Sequence, residues 1–204
     1  MMLAVASAAL TLAAIAGTQQ TGAEPSEDQR DVQLCEFRKT EIVLNSLGGP
    51  AARPVSEQEL AWAREQEQRA ERGDPCEPSP GMVDAATHNA TFEAGTQWGL
   101  TPQTTDERLL CAAVWNRWNY AVETAADPLF VSALRPELSA ANAAAREPFW
   151  RDEAVRQLDD AADVGRLGKE EAKAEEKADE LYAAYANSEQ GGLGTLMEYL
   201  AICK

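Results

Sequence analysis

Apolar side chains recur at steps of three and four residues in several segments of this chain, which is the spacing of one face of an α-helix. The clearest segment begins at Thr104 and Glu107, which have the spacing of a capping box at a helix N-terminus. It ends before Asp127-Pro128, because proline does not continue a helix. Its apolar positions are Leu109, Leu110, Ala113, Val114, Trp118, Ala121 and Val122. We predict that this segment is the core helix of the protein.

The same criteria predict further helices on both sides of the core helix. Ser56 and Glu59 make a second capping box, and Gly48-Gly49-Pro50 and Gly73 are typical helix ends. These helices cover about residues 27–47, 56–73, 137–145, 149–164, 168–187 and 195–204. Hardly any segment has the two-residue alternation of a strand. The sequence therefore predicts an all-α fold, an irregular bundle of roughly five to seven helices.

Residues 74–102 interrupt the helical pattern. Proline and glycine recur there, and no apolar period is sustained. We predict a long Pro/Gly-rich loop that contains at most one short helix, near Met82 to Phe92. Loops of this length are uncommon unless they carry a function or are clamped, and Cys76 at the entrance is a candidate clamp.

The first 23 residues differ from the rest of the chain. They contain no charged side chain, and an apolar run from Leu3 to Ala16 is followed by small residues, which is typical of a signal peptide. We predict cleavage after Ala16 or Ala23, which leaves residues 24–204 as a single helical domain. The run is short for a membrane span, which takes about 20 apolar residues. No lysine or arginine precedes it, so an uncleaved anchor or a different start residue stays open as an alternative.

The four cysteines are Cys35, Cys76, Cys111 and Cys203. None forms a close pair with another, and the chain has a single histidine, so a zinc site or a redox pair is not indicated. Two disulfides in an oxidising compartment are the simplest interpretation, and four buried free thiols are the alternative. If the first two helices form an antiparallel hairpin, Cys76 returns close to Cys35. Cys111 on the core helix is then left to pair with Cys203.

The charge balance restricts the partners. Asp and Glu number 34 against 18 Lys and Arg, which gives a formal net charge of −16. Such a surface repels phosphate groups, so we predict no nucleic-acid partner and, after signal cleavage, no stable membrane insertion. A basic protein, a cation or another small ligand would be attracted. The alternative is that the charge only keeps the protein soluble.

Catalytic chemistry has few candidates in this sequence. A Ser-His-acid site would have to use His88, which we interpret as an ordinary loop histidine. Asp159 and Asp163 lie on one face of a predicted helix and could bind a cation or act as acid and base if they were buried, although a solvated surface fits them better. We assign no catalytic residue, no metal site and no cofactor.

Aromatic residues are concentrated in the middle of the chain. Trp98, Trp115, Asn116, Trp118 and Asn119 could form a groove in which aromatic faces and amides receive a partner or ligand. The alternative is that the tryptophans fill the core and the asparagines face outward. We favour the core, because the tryptophan spacing matches the Leu and Val positions of the same helix.

These observations favour an exported, soluble helical protein that acts as a non-catalytic binding or interaction module of the cell envelope, periplasmic or secreted. The rival hypothesis is an envelope hydrolase with a site assembled from scattered carboxylates. A structural domain without a ligand is a third possibility. An enzyme with two close carboxyl groups in a deep cleft would be distinguishable from a binding protein by its structure.

Overall fold

The computed structural model describes residues 26–50, 52–158 and 161–204, without the side chains of residues 27 and 161–164. Helices make up 75 % of this part of the chain, and no strand occurs in it. The all-α prediction is therefore confirmed. The predicted signal peptide lies outside the described residues. Among the residues described, no helix is both long enough and apolar enough to cross a membrane.

Eight α-helices follow one another in the described chain, one more than the upper limit of the prediction. They are α1 (Glu27–Ser46), α2 (Glu57–Glu71), α3 (Pro80–Thr96), α4 (Thr105–Glu123), α5 (Pro128–Ala133), α6 (Ala140–Val155), α7 (Ala161–Ala186) and α8 (Gly192–Ile202), with a 3₁₀ turn at Pro136–Leu138. Both predicted capping boxes form, Ser56 with Glu59 on α2 and Thr104 with Glu107 on α4.

Helix α3 corrects the prediction of a long loop over residues 74–102. It has 17 residues and begins where the Ser79 side chain accepts a hydrogen bond from the Met82 N–H, with Pro80 in the first turn. Proline is well tolerated there, because the first N–H groups of a helix have no partner within the helix. The short helix expected near Met82 to Phe92 therefore exists, but it is longer than predicted, because Pro80 opens the helix and does not belong to a loop.

The prediction of separate helices over residues 137–145 and 149–164, with a break near Pro148, is wrong. Helix α6 continues through Pro148 from residue 140 to residue 155. Proline leaves the carbonyl of Ala144 without its helical donor. Pro148 and Ala144 are both exposed, so water can hydrate that carbonyl. The break between α6 and α7 comes later in the chain instead.

Helix α4 lies at the centre of the fold and packs against α6, α7 and α8. Trp115 and Trp118 are fully buried, as the favoured interpretation predicted. The indole nitrogen of Trp118 donates to the carbonyl of Leu138 at 2.8 Å, and that of Trp115 donates to the carbonyl of Cys203 at 2.7 Å. Buried indoles usually find such an acceptor, so these rings fill the core without leaving a polar atom unsatisfied.

Two disulfides close the fold with the pairing that the hairpin argument predicted. Cys35 on α1 is bonded to Cys76 after α2, and Cys111 on α4 is bonded to Cys203 at the end of α8. No cysteine is free. The first bond closes the α1–α2 hairpin, and the second ties the C-terminus to the central helix.

The α1–α2 hairpin sits at the edge of the fold. Helix α1 packs against α2, and α2 contacts α5. Arg53, between the two helices, forms an ion pair with the buried Glu59 at 2.8 Å. Phe37 and Leu44 on α1 and Leu47 just after it remain exposed, whereas Ile42 on α1 and Trp62 on α2 are buried. The hairpin is therefore held by its disulfide, by a local ion pair and by these two buried side chains.

Candidate functional site

A cleft of about 730 Å³ opens where α7 turns into α8. Helices α3 and α5 and the C-terminal end of α4 complete its walls. The lining residues are Asp84, His88, Ala121, Ala125, Phe130, Tyr182, Tyr185, Ala186, Ser188, Glu189, Gly191, Leu193 and Gly194. It thus gathers residues from five helices, among them the single histidine of the chain.

His88 lies on α3 with only 8 % of its surface exposed, so its interpretation as a loop histidine is wrong. Its Nδ1 is 2.7 Å from the main-chain carbonyl of Asp84, which can only accept a hydrogen bond, so Nδ1 carries the proton. Its Nε2 then accepts a hydrogen bond from the Tyr185 hydroxyl at 3.1 Å. Burial lowers the pKa of His88, and the carbonyl and negative charge of Asp84 offset this only in part. The imidazole is therefore neutral at pH 7.

The hydrogen bond between His88 and Tyr185 positions both side chains. Nδ1 of His88 donates to a backbone carbonyl, and Nε2 accepts from the phenol. Burial raises the pKa of Tyr185, so its hydroxyl is protonated at pH 7. The bond therefore joins α3 to α7 through two neutral side chains.

Aromatic rings surround this pair. The rings of Phe130 and His88 form a T-shaped pair with centroids 5.1 Å apart. The rings of the buried Trp118 and of Tyr185 form another, with centroids 6.1 Å apart. Tyr182 is one turn before Tyr185 on α7, and the two ring centroids are 6.2 Å apart at an angle of 47°. The two tyrosine rings are therefore in contact with each other, and both residues line the cleft.

Ion pairs between α4 and α7 hold the two tyrosines in place. Arg117 on α4 donates to Asp179 and to Glu175 on α7, each at 2.5 Å. These acids lie one to two turns before the tyrosines on the same helix. Tyr120 on α4 also meets the ring of Tyr182 edge to face at 6.1 Å. Helix α4 thus fixes the position of the tyrosines through Arg117 and Tyr120.

A tight turn forms the rim of the cleft between α7 and α8. Ser188 and Gly191 both have positive φ, at 54° and 83°. A Cβ on Gly192 would collide with the main-chain carbonyl of Ala184, so only glycine fits there. Gly191 and Gly192 are therefore required by a close turn at the edge of the cleft.

The cleft is electrostatically negative. Asp84 and Glu189 line it, whereas its lining contains no lysine or arginine, and His88 is neutral. The N-terminus of α8 also lies there and contributes about half a positive elementary charge. Two full negative charges outweigh that half charge, so the cleft attracts cations.

The five residues predicted to form an aromatic and amide groove do not lie on one surface. Trp115 and Trp118 are completely buried, so neither ring offers a face to a ligand, whereas Trp98 is 60 % exposed. Asn116 donates to Glu147 at 3.2 Å, and Asn119 is half-buried. These residues do not form the groove, because Trp115 and Trp118 are packed inside the core. The four cysteines are all used in disulfides.

Sequence reasoning missed Tyr182, Tyr185 and Phe130 as candidate site residues. The spacing of the two tyrosines on α7 was visible, but nothing in the sequence places α7 beside α3. Asp159 lies outside the described residues, as does the side chain of Asp163. In the part of the chain that the structure covers, no group of three or more His, Cys, Asp or Glu residues could hold a metal ion.

Other depressions are also present in the described structure. One, of about 420 Å³, lies beside the Cys111–Cys203 disulfide and is walled by Leu100, Pro102 and Tyr199. Another, of about 1090 Å³, separates the α1–α2 hairpin from α5, and a third, of about 400 Å³, lies between the start of α4 and α7; both carry acidic and basic residues together. None of these three is lined by more than one aromatic ring, whereas the first cleft has three besides His88. No family model, curated protein or solved structure matches this chain.

Proposed function

We propose that this protein is an exported, non-catalytic binding protein that holds a positively charged group in the cleft formed by His88, Tyr182 and Tyr185. The observation that carries the proposal is the composition of the cleft, which combines three aromatic rings with two carboxylates and has no basic side chain in its lining. Aromatic faces attract cations through their quadrupole, and the carboxylates add a direct attraction. The net charge of −16 would guide a cation or a basic partner toward the surface.

Export is supported by two independent features. The two disulfides are typical of proteins from an oxidising compartment. Residues 1–23 have the pattern of a signal peptide. Both features favour a periplasmic or secreted location. Fractionation with mass spectrometry of the mature N-terminus tests this point: a chain beginning at Gly17 or Glu24 supports export, and an intact cytoplasmic chain contradicts it.

The alternative of a carboxylate-based hydrolase has less support. Such an enzyme needs one carboxyl group shielded from water so that it stays protonated as the acid. Asp84 and Glu189 are both exposed. Glu59 is buried but faces Arg53: burial raises its pKa, and hydrogen bonds from Arg53 and Ser56 more than offset this, so the pKa falls below its usual value. An acid catalyst requires the opposite shift.

The test is a titration of the purified chain with lysine amide and with a basic peptide, followed by calorimetry at low and high salt. We expect binding that weakens with salt. The Asp84→Asn/Glu189→Gln variant should bind about 2- to 30-fold more weakly, since each exposed ion pair contributes about 0.2–1 kcal/mol. The matched control is Glu71→Gln/Glu176→Gln, which removes the same charge at two exposed positions outside the cleft. Absence of binding by every cation, or equal weakening in the control, would contradict the proposal.

A further inference from the structure

We infer that two copies of this chain associate through the outer face of α1 and the apolar groove beside it. The outer face is defined by Phe37, Leu44 and Leu47, and the apolar groove is the depression of about 1090 Å³ between the α1–α2 hairpin and α5. The inference is independent of the function proposed for the cleft. It follows from a second apolar face on α1, from the local charge and from the extent of the surface.

Helix α1 has apolar residues on two opposite faces. Cys35 and Ile42 are completely buried on its inner face. Phe37, Leu44 and Leu47 are between 62 % and 77 % exposed, and their spacing of seven and then three residues places them together on the outer face. No other element of the described chain covers these three side chains. A helix that is apolar on its outer face as well needs a second partner to bury it.

The charges beside the outer face cancel, although the whole chain carries −16. Residues 32–47 contain two acidic and two basic side chains. Glu36 is paired with Lys39, and Glu41 is paired with Arg38. Two copies of so acidic a chain repel each other, so they can approach most readily where the local charge is zero. A basic partner would be attracted to an acidic surface instead, so the neutral outer face favours a second copy.

The surface is large enough for a stable interface and is complementary to itself. Phe37 belongs to the outer face and also lines the apolar groove, so the two are continuous. The groove wall is mostly apolar and includes Val55, Pro128, Val131 and Leu134. The 19 residues of the groove and the outer face together reach the about 20–30 residues per partner of a specific interface. A two-fold axis can therefore place the outer face of each copy against the groove of the other.

The experiment is sedimentation equilibrium of the purified chain from about 1 µM to about 200 µM, at low and high salt. We expect a monomer–dimer equilibrium in which the dimer has twice the mass of one chain. High salt should strengthen the dimer, because it screens the remaining repulsion between two negatively charged copies.

Variants of the outer face locate the interface. Leu44→Glu should raise the dissociation constant of the dimer by about 30-fold or more, since the change occurs twice in a two-fold interface. Leu44→Lys should also weaken the dimer, although it makes the chain less negative. Phe37→Ser should weaken it as well. Val155→Glu is the matched control, because it adds the same charge at an exposed apolar position on α6.

Several outcomes would overturn the inference. A chain that stays monomeric over this range at high salt has no such interface. A dimer that Leu44→Glu leaves intact, or that Val155→Glu weakens as much, forms through another surface. If Leu44→Glu separates the copies but Leu44→Lys does not, the effect comes from charge and the apolar contact is wrong. Leu44 is exposed, so thermal unfolding of its variants at low concentration should match that of the original chain, which separates weaker association from a folding defect.

Discussion

Tyr185 donates its hydroxyl proton to Nε2 of His88 across 3.1 Å, although 97 residues separate the two in the sequence. The bond joins α3 to α7 on one wall of the cleft. The tautomer of His88 is fixed by its other ring nitrogen, Nδ1, which donates to the carbonyl of Asp84. A neutral histidine in this place leaves the negative charge of the cleft uncompensated, which is what a cation site requires.

The stability of the protein should decrease when the pH falls below about 6.5, the usual pKa of histidine. Burial lowers the pKa of His88 in the folded state, so between the folded and unfolded pKa values the unfolded chain binds a proton that the folded chain does not. The contribution is fully present above pH 6.5. Below it, up to about 1.4 kcal/mol is lost per pH unit until the folded pKa is reached.

Urea unfolding between pH 7.5 and pH 5.5, spanning the usual histidine pKa near 6.5, measures this dependence. His88→Gln removes the titrating group and should remove the slope in this range. Because the chain contains one histidine, no second imidazole can supply the same slope. An unchanged slope in His88→Gln would show that another group is responsible.

Trp115 and Trp150 share one acceptor, the main-chain carbonyl of Cys203, at 2.7 Å each. We expect the double variant Trp115→Phe/Trp150→Phe to lose more unfolding free energy than the sum of the losses in the two single variants. Each single variant leaves the carbonyl with one donor, but the double variant leaves a buried acceptor unpaired, which costs a further 1–3 kcal/mol or so. A double-mutant cycle from urea unfolding measures this term. Trp98→Phe is the exposed control, and additive losses in the cycle would refute the expectation.

The Cys35–Cys76 disulfide should stabilise the α1–α2 hairpin and leave the rest of the fold largely unaffected. It spans 41 residues, for which the loop-entropy relation gives about 4 kcal/mol. In Cys35→Ala/Cys76→Ala we expect faster hydrogen exchange of the α1 amides and little change in α4, because α1 packs mainly on α2. Cys111→Ala/Cys203→Ala should instead loosen α4 and α8. Equal loss of protection in α1 and α4 for the first variant would contradict this division.

The ion pair of Arg53 with Glu59 should stabilise the hairpin measurably. Its side chains are 31 % and 4 % exposed, so Arg53→Met leaves a nearly buried carboxylate without its cation. We expect a loss of about 2–3 kcal/mol in unfolding free energy, less than the 3–5 kcal/mol of a fully buried pair, because Arg53 retains contact with water. Chemical unfolding measures the loss.

Two further variants test this interpretation of Arg53. Arg53→Met/Glu59→Gln removes the uncompensated charge and should recover part of the stability. Arg72→Met breaks an exposed pair with Asp74 and should change the unfolding free energy by less than about 1 kcal/mol. The idea fails if the double variant is as unstable as Arg53→Met at pH 7.

The pKa of Glu59 in the hairpin is lowered like that of His88, but for a different reason: burial raises the pKa of Glu59 and hydrogen bonds lower it by more, whereas burial lowers that of His88. The folded pKa of Glu59 lies below its usual value of 4.5, so its contribution is complete above pH 4.5 and is lost as the pH falls through the folded pKa. Acid unfolding of the α1–α2 hairpin, followed by hydrogen exchange, should therefore begin below pH 4.5. Glu59→Gln should remove this part of the acid sensitivity.

The sequence by itself determined the features that depend on neighbouring residues. The capping boxes at Ser56 and Thr104 fix helix starts through bonds within one turn, and the period of α4 fixes its buried face. The cysteine pairing also followed from local information, because a helical hairpin of two predicted helices brings Cys76 back to Cys35. The caps and the period operate over a few residues, and the cysteine pairing needs only two helices that are adjacent in the sequence.

Only the tertiary structure decided where the cleft lies. Helix α3 is weakly periodic, and its position depends on Gly95, where an added Cβ would come within 2.8 Å of Ala201 on α8. His88 is buried against Trp118, Phe130 and Tyr185, which come from three other helices. Arg117 holds α7, which carries Tyr185, against α4. Such contacts depend on the shapes of surfaces far apart in the chain, which periodicity and caps do not encode. The chain therefore specifies its helices locally, whereas the aromatic, negative cleft arises only when those helices pack.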